Sequence, residues 1–445
     1  MILKVTKTTS LNGKITIPSS KSQCIRALLI ATLATGESVL HNVLDADDIN
    51  VAIEVCKSLG AEISKIESGC HDFCLKVSGG VSSKVSTGKI FTGNSGITTR
   101  FVLPILGLRR NFDEPILIDC DEQMRARPIA SLAHALEDLG MNIKFVHDQK
   151  SCLPLEVSGK LKGGHICVDG MTSQYLSALL LACPCAQENS EILVEDLHER
   201  PYVEMTLRWL REQNIQFKHE QNQADGGKII DIFKIKGGQT FKPFEKVIAG
   251  DFSSASYFLA AGCLFPGEVV VHGLDMNDPQ GDKRMINILR EMGADLTILK
   301  NDGENQIVLK GGKPLIGLKI DANDIPDLLP TLAVLGTQAE GKTEIFNVAQ
   351  ARIKETDRIH AMAEGLKKMG AEIDETKDSL VVYKSKLYRA QAHGYFDHRT
   401  IMALALAGML AEGESHIDTA EGINKTFPTY VSLMNSIGAK MELTS

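Results

Sequence analysis

Met292-Gly293-Ala294 ends an apolar helical stretch and opens a strand, and the same junction recurs through the chain. Its counterparts are Leu59-Gly60-Ala61, Leu139-Gly140-Met141, Gln213-Asn214-Ile215, Met369-Gly370-Ala371 and Ile437-Gly438-Ala439, spaced 68 to 80 residues apart. Glycine suits a helix end because it enters the left-handed region without a Cβ clash, and asparagine is its usual substitute. A repeat of this length means one supersecondary unit used six times.

Copy one shows the pattern. Gly13-Lys14-Ile15-Thr16-Ile17 reads as a strand, residues 25–34 as an apolar helix whose composition implies burial, and 37–40 as the next strand. Residues 49–59 form the second helix, with Asp47-Asp48 at the end where acids belong. Similar apolar helices are expected at 175–182, 256–264, 328–335 and 400–410, and copy two begins at Asn94 and runs through Phe101-Val102-Leu103. The expected fold is α/β (α+β) with a sixfold internal repeat. Three copies would make a domain with buried helices under outer sheets. A chain of 445 residues exceeds the size of a single core, so copies one to three and four to six are expected as two domains. The strand that begins the chain is a candidate for the second domain, which would make the crossing double.

The composition, 43% hydrophobic and 23% charged, is that of an ordinary globular protein. A net charge of −8 gives no reason to expect nucleic acid or a membrane surface, so an anionic ligand needs a local cluster of bases. Residues 401–410 are too few to span a bilayer, which needs about 20. The N-terminal residues lack a signal-peptide core, so a cytoplasmic location and reduced thiols are expected for the ten cysteines. Cys70-His71-Asp72-Phe73-Cys74 lacks a second pair at zinc spacing and reads as ordinary strand, and Cys183-Pro184-Cys185 reads as a helix end.

The informative residues stand where helices begin. First helices are preceded by Ser20-Lys21-Ser22 with Arg26, Gly93-Asn94-Ser95-Gly96, Thr172-Ser173-Gln174, Asp251-Phe252-Ser253-Ser254, Asp324-Ile325-Pro326-Asp327 and Asp397-His398-Arg399. Second helices are preceded by Arg125-Ala126-Arg127-Pro128, Glu199-Arg200-Pro201-Tyr202, Gly281-Asp282-Lys283-Arg284, Lys354-Glu355-Thr356-Asp357-Arg358 and Asn424-Lys425-Thr426-Phe427-Pro428. Capping explains the serines, asparagines and acids, and for Ser254 and Asp282 it is the better reading. It does not explain Lys21, Arg26, Arg127, Arg200, Lys354, Arg358, Arg399 and Lys425, because a base opposes the dipole at that end. Bases at helix N-termini form anion sites, most naturally for phosphate and carboxylate. The expected ligands therefore carry several negative charges and lie in a cleft between the domains. Asp327 and Glu355 sit among these bases; each can serve as acid or base, and each taken singly also fits a structural ion pair.

One motif misleads. Gly336-Thr337-Gln338-Ala339-Glu340-Gly341-Lys342-Thr343 fits the phosphate-loop pattern, but the expected order is helix, turn, strand, the reverse of what that loop needs.

At these residues the chain resembles the EPSP synthase family of enolpyruvyltransferases over essentially its whole length. Pro18-Ser19-Ser20-Lys21-Ser22, Gly93-Asn94-Ser95-Gly96, Arg127-Pro128, Gly250-Asp251-Phe252-Ser253-Ser254-Ala255, Lys354-Glu355-Thr356-Asp357-Arg358, Asp397-His398-Arg399 and Lys425-Thr426-Phe427-Pro428 carry the likeness. The resemblance implies two domains of three βαβαββ units each. One holds residues 1–20 with 249–445, the other 21–248, joined by a two-stranded hinge near 18–21 and 246–250. It implies transfer of the enolpyruvyl group of phosphoenolpyruvate to the 5-hydroxyl of shikimate 3-phosphate, with closure of the domains on the substrates. Shikimate 3-phosphate would lie on Lys21, Ser22, Arg26, Thr172, Ser173, Gln174, Tyr202, Asp327 and Lys354. Phosphoenolpyruvate would lie on Lys21, Asn94, Gly96, Arg127, Gln174, Arg358, Arg399 and Lys425. Asp327 would be the base and Glu355 the acid, with Lys21, Lys425 and His398 also in the catalytic set. No metal, other cofactor or covalent enzyme intermediate is implied, and a monomer is expected.

Ile97, Phe101, Glu199 and Phe396 depart from the family pattern, and Glu199 replaces a serine that contacts substrate in one branch. Ile97 and Phe101 are expected to reshape the phosphoenolpyruvate pocket and make glyphosate a weak inhibitor. The related UDP-N-acetylglucosamine enolpyruvyltransferases carry a cysteine five residues before the arginine matching Arg127. Glu122 stands there, and Cys120 is two residues out of register. A non-catalytic anion-binding scaffold would have lost a chemical residue, and none is missing.

Overall fold

The computed structural model describes all residues except 67–72, 82–87, 148–150, 224–227 and 302–303; Cys70, His71 and Asp72 of the cysteine-histidine segment lie outside the described residues. It divides into two compact units, Met1–Ser20 with Ala249–Ser445, and Lys21–Ile248. Each has its own apolar core.

Six four-stranded sheets share one plan among the described residues: a parallel pair followed by two antiparallel neighbours. Strand Gly164–Asp169 lies parallel to Ser190–Glu195, which is followed across the sheet by Ile229–Ile235 and Phe217–Gln223. The parallel pair needs a crossover, and a buried helix supplies it. The helices Phe252–Leu264 and His398–Leu410 are buried on nearly every face, as their all-round apolar sequences require. Both pack against the helix Leu329–Gln338 in one unit, and in the other Gly96–Leu106 packs against Lys21–Leu33 and Ser173–Ala182.

The junctions that define the repeat adopt the conformation their residues favour. Gly60, Gly140, Asn214, Gly293, Gly370 and Gly438 all have positive φ, between 57° and 112°. At Gly293 the cap closes with Gly293 N–H on the Arg290 carbonyl (3.0 Å) and Ala294 N–H on Leu289 (2.9 Å), a Schellman pattern repeated at Gly60, Asn214, Gly370 and Gly438. A second glycine stands at or just past the end of the third strand across the sheet in several copies. A Cβ on Gly79 would lie 2.0 Å from the Ala31 carbonyl, on Gly237 2.2 Å from that of Glu188, and on Gly311 1.9 Å from that of Phe265.

Two expectations need correction. Gly13–Thr16 does not serve copy one; it lies parallel to Gly267–His272 in the sheet of copy four. Copy one takes Glu245–Val247 as its parallel strand instead. The cause is the crossing: the chain leaves one unit shortly after Gly13–Thr16 and the other directly after Glu245–Val247, so each strand stays with the unit it has just left. Ile2–Thr6, the candidate for the second domain, fills the sheet of copy six there, between Glu414–Ile417 and Lys440–Thr444. The first helices also begin earlier than their apolar runs, at Lys21, Ser173, Phe252 and His398, because polar residues form their first turns. The phosphate-loop look-alike begins in the last turn of the helix Leu329–Gln338 and runs into strand Lys342–Phe346, the order expected.

Gly311→Ala should lower stability by about 2 kcal/mol or more, since backbone must move to admit the methyl group. Thermal unfolding checks this; an unchanged melting temperature would mean that the strand end has slack.

Candidate active site

In the unit containing the C-terminus, one guanidinium gathers three carboxylates. Arg358 opens the helix Arg358–Lys368 and is 1% exposed. Its Nη1 donates to Asp327 Oδ1 (2.6 Å), Nη2 to Glu355 Oε2 (2.5 Å), and Nε to Asp397 Oδ2 (2.8 Å). Arg399 Nη2 stands 2.8 Å from the other oxygen of Asp327. Asp397 also caps the helix His398–Leu410, accepting from the N–H groups of Arg399 (2.8 Å) and Thr400 (3.4 Å). One carboxylate thus fixes a helix start and aims Arg358. Lys425 ends a short turn and donates to the Phe396 carbonyl (2.6 Å), one residue before Asp397. His398 is buried at the first position of the same helix.

Burial alone would raise the Asp327 carboxyl. The charges of Arg399, Arg358 and Lys354 outweigh that and hold it below the usual carboxylate range. Arg358 is pulled the other way: burial opposes its charge, but Asp397, Glu355 and Asp327 raise it further above the arginine range. Asp282 is fully buried and accepts from the Ser253 hydroxyl. Burial first, and then the charge of Asp327, push its carboxyl up to about 7. Asp327 therefore ionises first and Asp282 keeps its proton longer.

In the other unit, Lys21 begins the helix Lys21–Leu33 and donates to Asp48 (2.9 Å), in the first turn of Asp47–Ser58. Arg26, 2% exposed, donates to Thr206 Oγ1 and the Tyr202 carbonyl, both at 2.9 Å, and to the Ser22 carbonyl at 3.1 Å. Gly96 opens the helix Gly96–Leu106, and a Cβ there would lie 2.8 Å from a nitrogen of Arg100 and 2.8 Å from one of Arg127. A methyl group there would have to push two buried guanidiniums aside. Arg100 reaches Gln174 (2.6 Å). Asn94 donates to Gln123 (2.5 Å), while its Oδ1 is buried without a hydrogen-bond partner among the described residues. Thr172 caps Ser173–Ala182, and Ser173 donates to Glu199.

The structure bonds Asp327, Glu355, Arg358 and Arg399 directly together, brings Lys354 close enough to act on Asp327, and sets Gly96 against Arg127 and Arg26 against Tyr202. The sequence reading missed Arg100, Asp48 as the partner of Lys21, and Asp397 as the partner of Arg358. Arg100 had a signal: four residues after Gly96, it shares that helix face. Cys120 is 1% exposed, and burial pushes its thiol up to about 12, which leaves almost no thiolate at neutral pH.

A raised carboxyl costs stability as it ionises. Asp282 should leave stability intact in the acid range and erode it as pH rises from ordinary carboxylate values through about 7. Asp282→Asn keeps an acceptor for Ser253 and cannot ionise. Its melting temperature should fall less than that of the unaltered protein between about pH 5 and about pH 8. Equal slopes would show that Asp282 ionises without cost.

The comparisons with known proteins point one way. Residues 5–434 match the sequence profile of the family described as EPSP synthase (3-phosphoshikimate 1-carboxyvinyltransferase). The chain is 43% identical to the 3-phosphoshikimate 1-carboxyvinyltransferase of Acetivibrio thermocellus over 439 residues, 99% of each chain. It is 41% identical to that of Ruminiclostridium cellulolyticum over 444 residues, 100% of each. Among solved structures it is similar to EPSP synthase from Acinetobacter baumannii, with a TM-score of 0.79, 25% identity and full coverage of both chains. The enolpyruvyl transferase NikO of Streptomyces tendae shares the fold at 16% identity, with a TM-score of 0.76 over 100% of this chain and 98% of that one. Two units of repeated sheet-and-helix copies, a carboxylate cluster on Arg358 and full-length likeness agree: the chain belongs to the EPSP synthase family.

Proposed function

We propose that the protein transfers the enolpyruvyl group of phosphoenolpyruvate to the 5-hydroxyl of shikimate 3-phosphate and releases phosphate, a step of aromatic amino-acid biosynthesis. The observation that carries the chemical reading is Arg358 holding Asp327 and Glu355 together at 2.6 and 2.5 Å. The reaction needs one group to take a proton from a hydroxyl and another to give one to carbon, and here two carboxylates share one cation.

Asp327 takes the hydroxyl proton. Bonded to Arg358 and Arg399 it is a poor base, since those cations stabilise its ionised form. Anionic groups of phosphoenolpyruvate placed on Arg358 and Arg399 compensate the two charges and restore its basicity. Glu355, loosened from Arg358 in the same way, takes up a proton from solvent and delivers it to the methylene carbon while the 5-oxygen bonds to the adjacent carbon. A tetrahedral ketal results. Glu355 then removes a proton from the new methyl group, the C–O bond to phosphate breaks, and the proton held by Asp327 goes to the leaving phosphate. Lys21, Asn94, Gly96, Arg127, Gln174, Arg399 and Lys425 are assigned to phosphoenolpyruvate, alongside Arg358. Lys21, Ser22, Thr172, Ser173, Gln174, Tyr202 and Lys354 are assigned to shikimate 3-phosphate, with Arg26 bracing the Tyr202 segment. Fixed charges aimed at developing charge supply most of the rate. His398 belongs to this set by position only. We place the protein in the cytoplasm as a monomer, and assign weak glyphosate inhibition to the phosphoenolpyruvate site.

Phosphate release from phosphoenolpyruvate should require shikimate 3-phosphate and should not occur with UDP-N-acetylglucosamine; the reverse would overturn the proposal. Glu355→Ala should lower kcat by about a thousandfold or more while phosphoshikimate still binds. Ile97→Thr should sharpen inhibition by glyphosate, and an unchanged inhibition constant would remove Ile97 from that role.

A further inference from the structure

Glu199 has no part in the chemistry above, yet it is 1% exposed and its backbone is held in the left-handed region at φ 55°. From there one carboxylate oxygen accepts both the N–H of Ser173 (3.1 Å) and its hydroxyl (2.7 Å). These donors open the helix Ser173–Ala182, and Thr172 takes the next N–H, that of Gln174 (3.4 Å). The caps Asp251 and Asp397 come from the residue just before their own helices. Glu199 is different: it reaches across from the start of another helix, Arg200–Glu212, 26 residues along the chain.

A phosphate oxygen at a helix start would seek the same two donors. We propose that Glu199 is an internal anion that competes with the phosphate of shikimate 3-phosphate for Ser173, and so sets the affinity for that substrate. The inference rests on the assignment of Ser173 to shikimate 3-phosphate. The incoming phosphate must displace the carboxylate, because two like charges cannot share those donors without repulsion. Affinity is then the difference between two anions at one seat. A residue without charge at position 199 would leave the seat to the substrate alone.

The test compares steady-state constants of Glu199→Gly, Glu199→Gln and Ser173→Ala. Glycine suits the left-handed backbone and removes the carboxylate. It should lower the KM for shikimate 3-phosphate about tenfold, the weight of one hydrogen bond to a charged group, while the KM for phosphoenolpyruvate moves far less. Glu199→Gln keeps the acceptor without the charge and should shift the same constant in the same direction by a smaller factor. It decides the case if the glycine variant is unstable. Ser173→Ala should raise the KM for shikimate 3-phosphate. If it does not, the assignment of Ser173 fails and the inference with it. If it does, and the Glu199 variants leave that KM unchanged or raise it, the assignment stands and Glu199 is only a helix cap or a substrate ligand.

Discussion

A guanidinium that is 1% exposed can stay charged only if its surroundings replace the water it has lost, and three carboxylates do this for Arg358. Removing one partner of such a group leaves uncompensated buried charge, so the members hold one another in place. They come from different copies of the repeat. Asp327 and the Glu355–Arg358 segment belong to copy five, and Asp397 with Arg399 to copy six. The ion network therefore joins two copies at their helix starts, and Asp282 of copy four feels the charge of Asp327. Structure and chemistry meet in the same bonds: the contacts that lock the helix starts also set which carboxyl is ionised and which keeps its proton.

The division of labour between helix ends and helix starts follows from backbone chemistry. Past the C-terminal end of each copy's second helix the chain takes a positive φ, and glycine or asparagine supplies it in every copy. The N-terminal end exposes N–H donors and tolerates many polar residues, so copies can diverge there without altering the fold. Lys21, Gly96, Ser173, Asp251, Asp327 and Arg399 all stand at or next to the starts of buried first helices. The ends of the second helices keep the copies alike, and the residues assigned to the chemistry stand where helices begin.

Much of this was legible in residue order alone because the rules involved are local. The six junctions, the buried helices and the clustering of bases at helix starts each depend on residues within a turn or two. Pairings made across the chain were not legible. Gly13–Thr16 looks like the first strand of copy one, and only the crossing between units explains why it joins the sheet of Gly267–His272. Nothing near Arg358 announces Asp397, 39 residues away, and nothing near Ser173 announces Glu199. Arg100 was a different miss: its spacing from Gly96 was readable, but what it approaches, Gln174, was not.

The account turns on Asp327 being held ionised by Arg358 and Arg399 and regaining basicity when ligand anions compensate those cations. Carbon-13 NMR of the labelled aspartate carboxyls, with the Asp327 resonance identified from its loss in Asp327→Asn, reads this directly. In the free protein Asp327 should titrate below the ordinary carboxylate range, and adding shikimate 3-phosphate with inorganic phosphate should move the titration upward. A carboxyl that titrates normally in the free protein, or that moves downward on adding the ligands, would contradict the role given to Arg358.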